Sequence, residues 1–187
     1  MSQEERASAP PVRRALCLGN ELMADDAFGP IVAAEFEGGV TDSVVHTSAA
    51  GFGLMDHVLD VTDLLVIDTI KTGTAKPGTV FVLDESDLRA SRGPSSHFVG
   101  LLEMLLIGRK LRLPFPQRVL IVAVEARDIS TIGAGLHPEV RAAVPVVVNM
   151  VRGFLNGSPP TPTHPRVTSQ AVSELRGNLV SGGDRFY

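Results

Sequence analysis

The stretch LLVIDTIKTGTAKPGTVFVLD, residues 64–84, decides how the chain folds. It opens on LLVID (64–68), a continuous apolar run such as a strand buried on both faces shows. It closes on a second β-rich run, TVFVLD (79–84). Only TIKTGTAKPG joins them, whereas a parallel crossover needs a dozen or more residues, usually including a helix. The strand over 79–84 is therefore predicted to run antiparallel to the strand over 64–68.

Strands and helices alternate on both sides of this pair. ALCL (15–18) and SVVHT (43–47) read as strands, and AFGPIVAAEFE (27–37) between them as a helix. GFGLMDHVLDV (51–61) carries apolar residues at helical spacing. Toward the C-terminus, HFVGLLEMLLIGRKL (97–111) reads as an amphipathic helix and RVLIVAVEA (118–126) as a fifth strand. HPEVRAAVPVVVNMVRGFL (137–155) reads as a last helix, with Pro138 suited to its first position. The pattern predicts an α/β fold, a three-layer α/β/α sandwich around a mostly parallel, twisted five-stranded sheet with strand 79–84 antiparallel. One domain spans 14–156. The polar, Pro-containing residues 1–13 read as a disordered lead-in, and residues 157–187, of similar character, as a loose tail.

Composition narrows the function. The 187 residues hold 17 Lys and Arg against 21 Asp and Glu, a net charge of −4, so nothing attracts a polyanion and nucleic acid is set aside as a partner. The single cysteine cannot form an internal disulfide or a cysteine metal cluster, and Cys17, inside ALCL, reads as a buried structural thiol. No apolar run approaches the roughly 20 residues that span a bilayer. The first residues lack the apolar core of a secretory signal. These readings predict a cytoplasmic protein with no membrane partner.

In open α/β sheets, ligands bind outside the carboxyl ends of the strands. LGNELMADDAFGP (18–30) places Asp25 and Asp26 just after the first strand. Asp68 ends LLVID. His97 opens the helix after strand 79–84, and GPSSH (93–97) has the Gly, Pro and Ser to turn the chain back to that edge. Each has an ordinary reading. Asp26 suits a helix cap, Asp68 a turn, and His97 a helix start or the surface. Together, two carboxylates and an imidazole at one edge suit a borderline divalent ion such as nickel or zinc. Other chemistries lack their signatures. Only Gly19 stands where G-x-G-x-x-G would need three glycines, and neither G-x-x-x-x-G-K-[ST] nor G-x-S-x-G occurs. The only cysteine lies in a strand, which disfavours a thiol protease.

Five motifs in order resemble those of the hydrogenase maturation endopeptidases. They are LGNELMADDAFGP, AAGFGLMDHV, LLVIDTIKTGTAKPGTVFVLD, SSHFVGLLEML and GAGLHPEV, spread over about Ala15 to Leu155. The resemblance implies a peptidase that removes the C-terminal extension from the large-subunit precursor of a nickel-iron hydrogenase. It implies that Asp26, Asp68 and His97 are the catalytic, metal-contacting residues, with Asp25 shaping the loop or capping the helix. The nickel would arrive with the precursor as the recognition element instead of being stored as a cofactor. Apart from the resemblance, no long exposed apolar helix stands out, which predicts a monomer. The loops DTIKTGTAKPG and ASRGPSSH would be either walls for the extension or plain solvent-exposed connections. The chain departs from the family pattern at Asp26, where Glu is frequent, and at Ala27, where Gly is. His137 stands where Ser or Thr is common before the helix proline, and is a poorer N-cap. Two rivals remain: a nickel-delivery or sensing protein without proteolysis, and a same-fold peptidase with another substrate.

Overall fold

The computed structural model describes residues 10–37, 43–87 and 96–161, without the side chains of 96–99. Five strands are present in it: β1 (Arg13–Leu18), β2 (Val44–Thr47), β3 (Asp63–Ile70), β4 (Val80–Asp84) and β5 (Arg118–Glu125). Helices α1 (Phe28–Ala34), α2 (Met55–Val58), α3 (Ser96–Lys110) and α4 (Pro138–Leu155) accompany them, and residues 85–87 after β4 are also helical. The 3-10 turns Ala24–Ala27 and Gly51–Leu54 lead into α1 and α2.

The strands form one sheet in the order β2-β1-β3-β5-β4. All neighbours pair in parallel except β4 and β5, which are antiparallel. The reversed course of β4 is as expected, but its partner is β5, which lies between it and β3.

Alternation along the strands builds two cores. Ala15, Cys17, Leu65, Ile67, Val122 and Val124 face α1 and α4, packing on Phe28, Val32, Val140, Val147 and Val151. Leu16, Leu18, Leu64, Val66, Ile121 and Ala123 face α2 and α3, packing on Val58, Leu101, Met104 and Leu105. The result is the expected helix–sheet–helix sandwich. Burial on both faces is why the strands read as unbroken aliphatic runs.

The elements depart from the sequence reading in several places, among them the helix read over 27–37, which is a 3-10 turn and then α1 ending at Ala34. β3 runs two residues past Asp68, because Thr69 and Ile70 still find partners in Val124 and Glu125 of the equally long β5. The helix expected over 51–61 is a 3-10 turn plus a short α2, which stops where Asp60 turns left-handed at φ +59°. β1 begins at Arg13, and the preceding Val12 carbonyl accepts the N–H groups of Thr62 and Asp63. α3 is not one-sided: it buries Leu101, Met104 and Leu105 but leaves Leu106 and Ile107 about two-fifths exposed (44% and 42%). No helix among the described residues is long and apolar enough to cross a membrane. Residues 1–9 of the lead-in and 162–187 of the tail lie outside the described residues.

Candidate active site

β1 ends at Leu18 and the chain turns at Gly19, whose φ of +133° favours glycine. A Cβ there would also lie 2.1 Å from the Asp26 carbonyl oxygen. The same economy recurs at Gly29, where a Cβ would meet the Leu18 carbonyl at 1.9 Å, so α1 can lie directly on the end of β1. The glycines of the first motif serve backbone packing.

Asp26 organises this turn. Its Oδ2 accepts the Asn20 N–H at 2.8 Å, and its own N–H donates to the Met23 carbonyl at 2.8 Å. Its Oδ1 accepts the Thr69 hydroxyl at 3.3 Å. Thr69 follows Asp68 in β3 and donates its N–H to Asp68 Oδ1 at 2.7 Å. Thr69 thus connects the two carboxylates, one from the β1 loop and one from β3. Asp68 is buried (1% exposed) on the α3 face, while Asp26 is partly open.

Asp26 does not cap a helix, contrary to its ordinary sequence reading. The N-cap positions here are Met23 for the 3-10 turn and Ala27 for α1, neither with a side-chain cap bond. Both aspartates sit inside the 3-10 turn because the chain is already curling at Ala24, a left-handed residue at φ +33°.

Asp25 is fully buried and shapes the loops. Its Oδ2 accepts the N–H groups of Arg127 and Asp128, each at 2.9 Å, and its Oδ1 accepts the His137 N–H at 2.6 Å. Its own N–H donates to the Asp128 carbonyl at 2.9 Å. One carboxylate therefore ties the β1 loop to the β5 loop and to the start of α4. His137 makes no side-chain cap at that helix start, as expected for a poor N-cap.

His97 lies in the first turn of α3, and its side chain is outside the described residues. The backbone still places it. Gly100 packs on Gly51, which follows the carboxyl end of β2, while Gly108 packs on Phe115, which precedes β5. α3 thus runs against the parallel strands and begins at their carboxyl edge, on the face that carries Asp68. The wall segment ASRGPSSH lies outside the described residues except for the helical backbone at 96–97.

Three polar residues at this edge escaped the sequence reading. Glu125 is buried (1% exposed) at the end of β5. Its Oε1 accepts the Thr72 and Gly73 N–H groups, each at 2.8 Å, and its Oε2 the Thr72 hydroxyl at 2.7 Å, so the loop after β3 is anchored at its start. The signal was present: RVLIVAVE carries an acid out to the strand end as LLVID does. Thr69 gave no signal, because its role depends on Asp26 across the sheet. His46, at the end of β2, places Nε2 3.1 Å from the Gly19 carbonyl oxygen. In the β5 loop, the Thr131 hydroxyl and then the Ser130 N–H and hydroxyl hold the Asp128 carboxyl well below the usual carboxylate range.

Carboxylate oxygens suit a divalent ion. Asp26 accepts two hydrogen bonds of the roughly four its lone pairs allow, which leaves capacity for a metal. Among the described residues no group of three His, Cys, Asp or Glu side chains could hold an ion, so two carboxylates alone do not complete a site. α3 brings the backbone of His97 to this same edge.

The family model described as hydrogenase maturation protease (HycI) matches residues 34–153, well over half the chain. The chain belongs to this family. As a hydrogenase maturation protease it is an enzyme, a peptidase. It is 27% identical to the hydrogenase expression/formation protein HoxM of Cupriavidus necator over 137 residues, 70% of this chain and 67% of that one. It is 28% identical over 148 residues to HupD of Rhizobium leguminosarum, 74% of this chain and 72% of that one. The hydrogenase maturating endopeptidase HybD of Escherichia coli superposes with a TM-score of 0.65 at 23% identity, over 81% of this chain and 98% of that one. HybD of Thermococcus kodakarensis gives 0.63 at 24%, over 77% and 99%. These two likenesses show the fold. The family match includes Asp68 and His97 and begins after Asp26.

Proposed function

We propose that this protease removes the C-terminal extension of a nickel-iron hydrogenase large-subunit precursor, with the precursor's own nickel as its recognition element. Asp26, Asp68 and His97 contact that nickel and position the scissile bond. Asp26 presents its carboxylate from the first loop, Asp68 from β3, and His97 from the start of α3. The observation that carries this reading is the link from Asp26 through Thr69 to Asp68, at the sheet edge where α3 begins. Carboxylate oxygens with one imidazole suit nickel. A neutral imidazole is the ligating form, so acidification weakens the contact. Nickel here is part of the substrate, and the enzyme acts in the cytoplasm, where it meets neither nucleic acid nor membrane.

The test is the intact mass of matched precursor after incubation, nickel-loaded beside nickel-free. Loss of the extension in the loaded sample alone is the expected outcome. Cleavage of both removes the nickel requirement. Cleavage of neither overturns the reading in favour of a metal-delivery or sensing protein. In the same assay Asp26→Ala, Asp68→Ala and His97→Ala should each abolish processing with the fold retained. Normal processing by all three would refute the site.

A further inference from the structure

We propose that the loops after β1 and β5 together form a docking ridge for an apolar segment of the polypeptide substrate, beside the carboxylates. The proposal rests on the function proposed above.

Large apolar side chains stand out of these loops. Leu22 is 63% exposed, Ile132 77% and Ile129 38%. They belong to one surface, because Met23 and Ile132 form an antiparallel bridge and the Gly133 N–H donates to the Leu22 carbonyl at 2.8 Å. The ridge is braced from beneath by the Asp25 carboxylate on Arg127, Asp128 and His137. The Asp128 carboxylate stiffens its crest by accepting from the Ser130 N–H and hydroxyl, each at 2.9 Å. From Ile129 to Leu136 the sequence, ISTIGAGL, carries no charge. A preorganised apolar surface binds with little further ordering, which is what a docking site requires.

Position selects the occupant. The Asp26 N–H donates to the Met23 carbonyl, so ridge and carboxylate belong to one turn. A chain seated on Leu22 and Ile132 therefore lies beside Asp26. A second copy there would obstruct the carboxylates that the reaction uses. Anionic lipid would meet Glu21, Asp26 and Asp128 near the same loops. A substrate segment with apolar side chains fits both constraints.

The test is steady-state cleavage of the nickel-loaded precursor by the full-length Leu22→Asp/Ile132→Asp variant. Both side chains are exposed, and Leu106→Asp, on an exposed part of α3 toward its far end, is the control. The expected result is a KM at least about tenfold higher with kcat within about twofold of the parent, and an unchanged control. If the aspartates prevent folding, Leu22→Gln/Ile132→Gln gives the same reading without charge. An unchanged KM in a folded variant overturns the ridge while leaving the function in place. So does a parent dimer that the variant dissociates, which would make the ridge a self-association surface. No cleavage by the parent enzyme overturns the proposed function, and the ridge proposal with it.

Discussion

Replacing Asp25 with alanine would strand the part-buried N–H groups of Arg127, Asp128 and His137 at once. A fully buried donor left unsatisfied costs about 1–3 kcal/mol, and these three stand partly open to water, so Asp25→Ala should destabilise the protein by roughly 2–3 kcal/mol in all. Urea unfolding checks this, and a change under about 1 kcal/mol would show that water replaces the carboxylate. Asp26→Ala should behave in the opposite way. Its carboxylate is partly open and accepts from Asn20 and Thr69, so stability should fall little while processing stops. Two adjacent residues of one type thus separate in experiment, one reporting on folding and the other on reaction. The sequence suggested this division through the family's metal-contacting position, but not its geometry. Asp25's partners lie more than a hundred residues away, and nothing local to ADDA names them.

The loop between β3 and β4 shows what decides order at the level of elements. Read alone, TIKTGTAKPG has the residues of a loose connection. In the fold its start is held by Glu125, and the Gly78 N–H donates to the Glu125 carbonyl at 2.8 Å. Glu125→Ala should therefore speed amide exchange at Thr72 and Gly73 by an order of magnitude or more while leaving β1 and β3 protected. Unchanged exchange would show that the loop holds its shape without the carboxylate. Strand identity and the reversed course of β4 were legible because aliphatic runs and a short connection are local facts. The partner of β4 was not, since edge or centre depends on where β5 inserts. The apolar residues left open on α3 were also missed. HFVGLLEMLLIGRKL is so rich in apolar residues that it overfills the one face the sheet can cover. The expectation of a monomer leaned on no such helix being exposed, and Leu106 and Ile107 remove that support.

Across the whole molecule, Cys17 couples stability to pH. Burial in the α1–α4 core pushes its thiol up to about 12 from an ordinary 9.0. Above pH 9 the unfolded chain loses this proton while the folded one keeps it, so the unfolded state binds fewer protons and stability falls as pH rises. The decline spans pH 9 to about 12, with a slope approaching about 1.4 kcal/mol per pH unit. Cys17→Ala should remove that slope, although the cavity lowers stability overall; denaturant midpoints at pH 8, 9 and 10 for both proteins would decide it. The order of strands has a consequence for synthesis. Among the described residues β4 pairs only with β5, and β5 emerges from the ribosome some thirty-five residues later. Asp25, made among the first, waits for His137 before its carboxylate is filled. A nascent chain that stops short of α4 therefore lacks one of the three donors to Asp25 and the helix whose Val140, Val147 and Val151 cover one face of the sheet. A polypeptide terminated before α4 is therefore expected not to cut, because one face of its sheet is left uncovered.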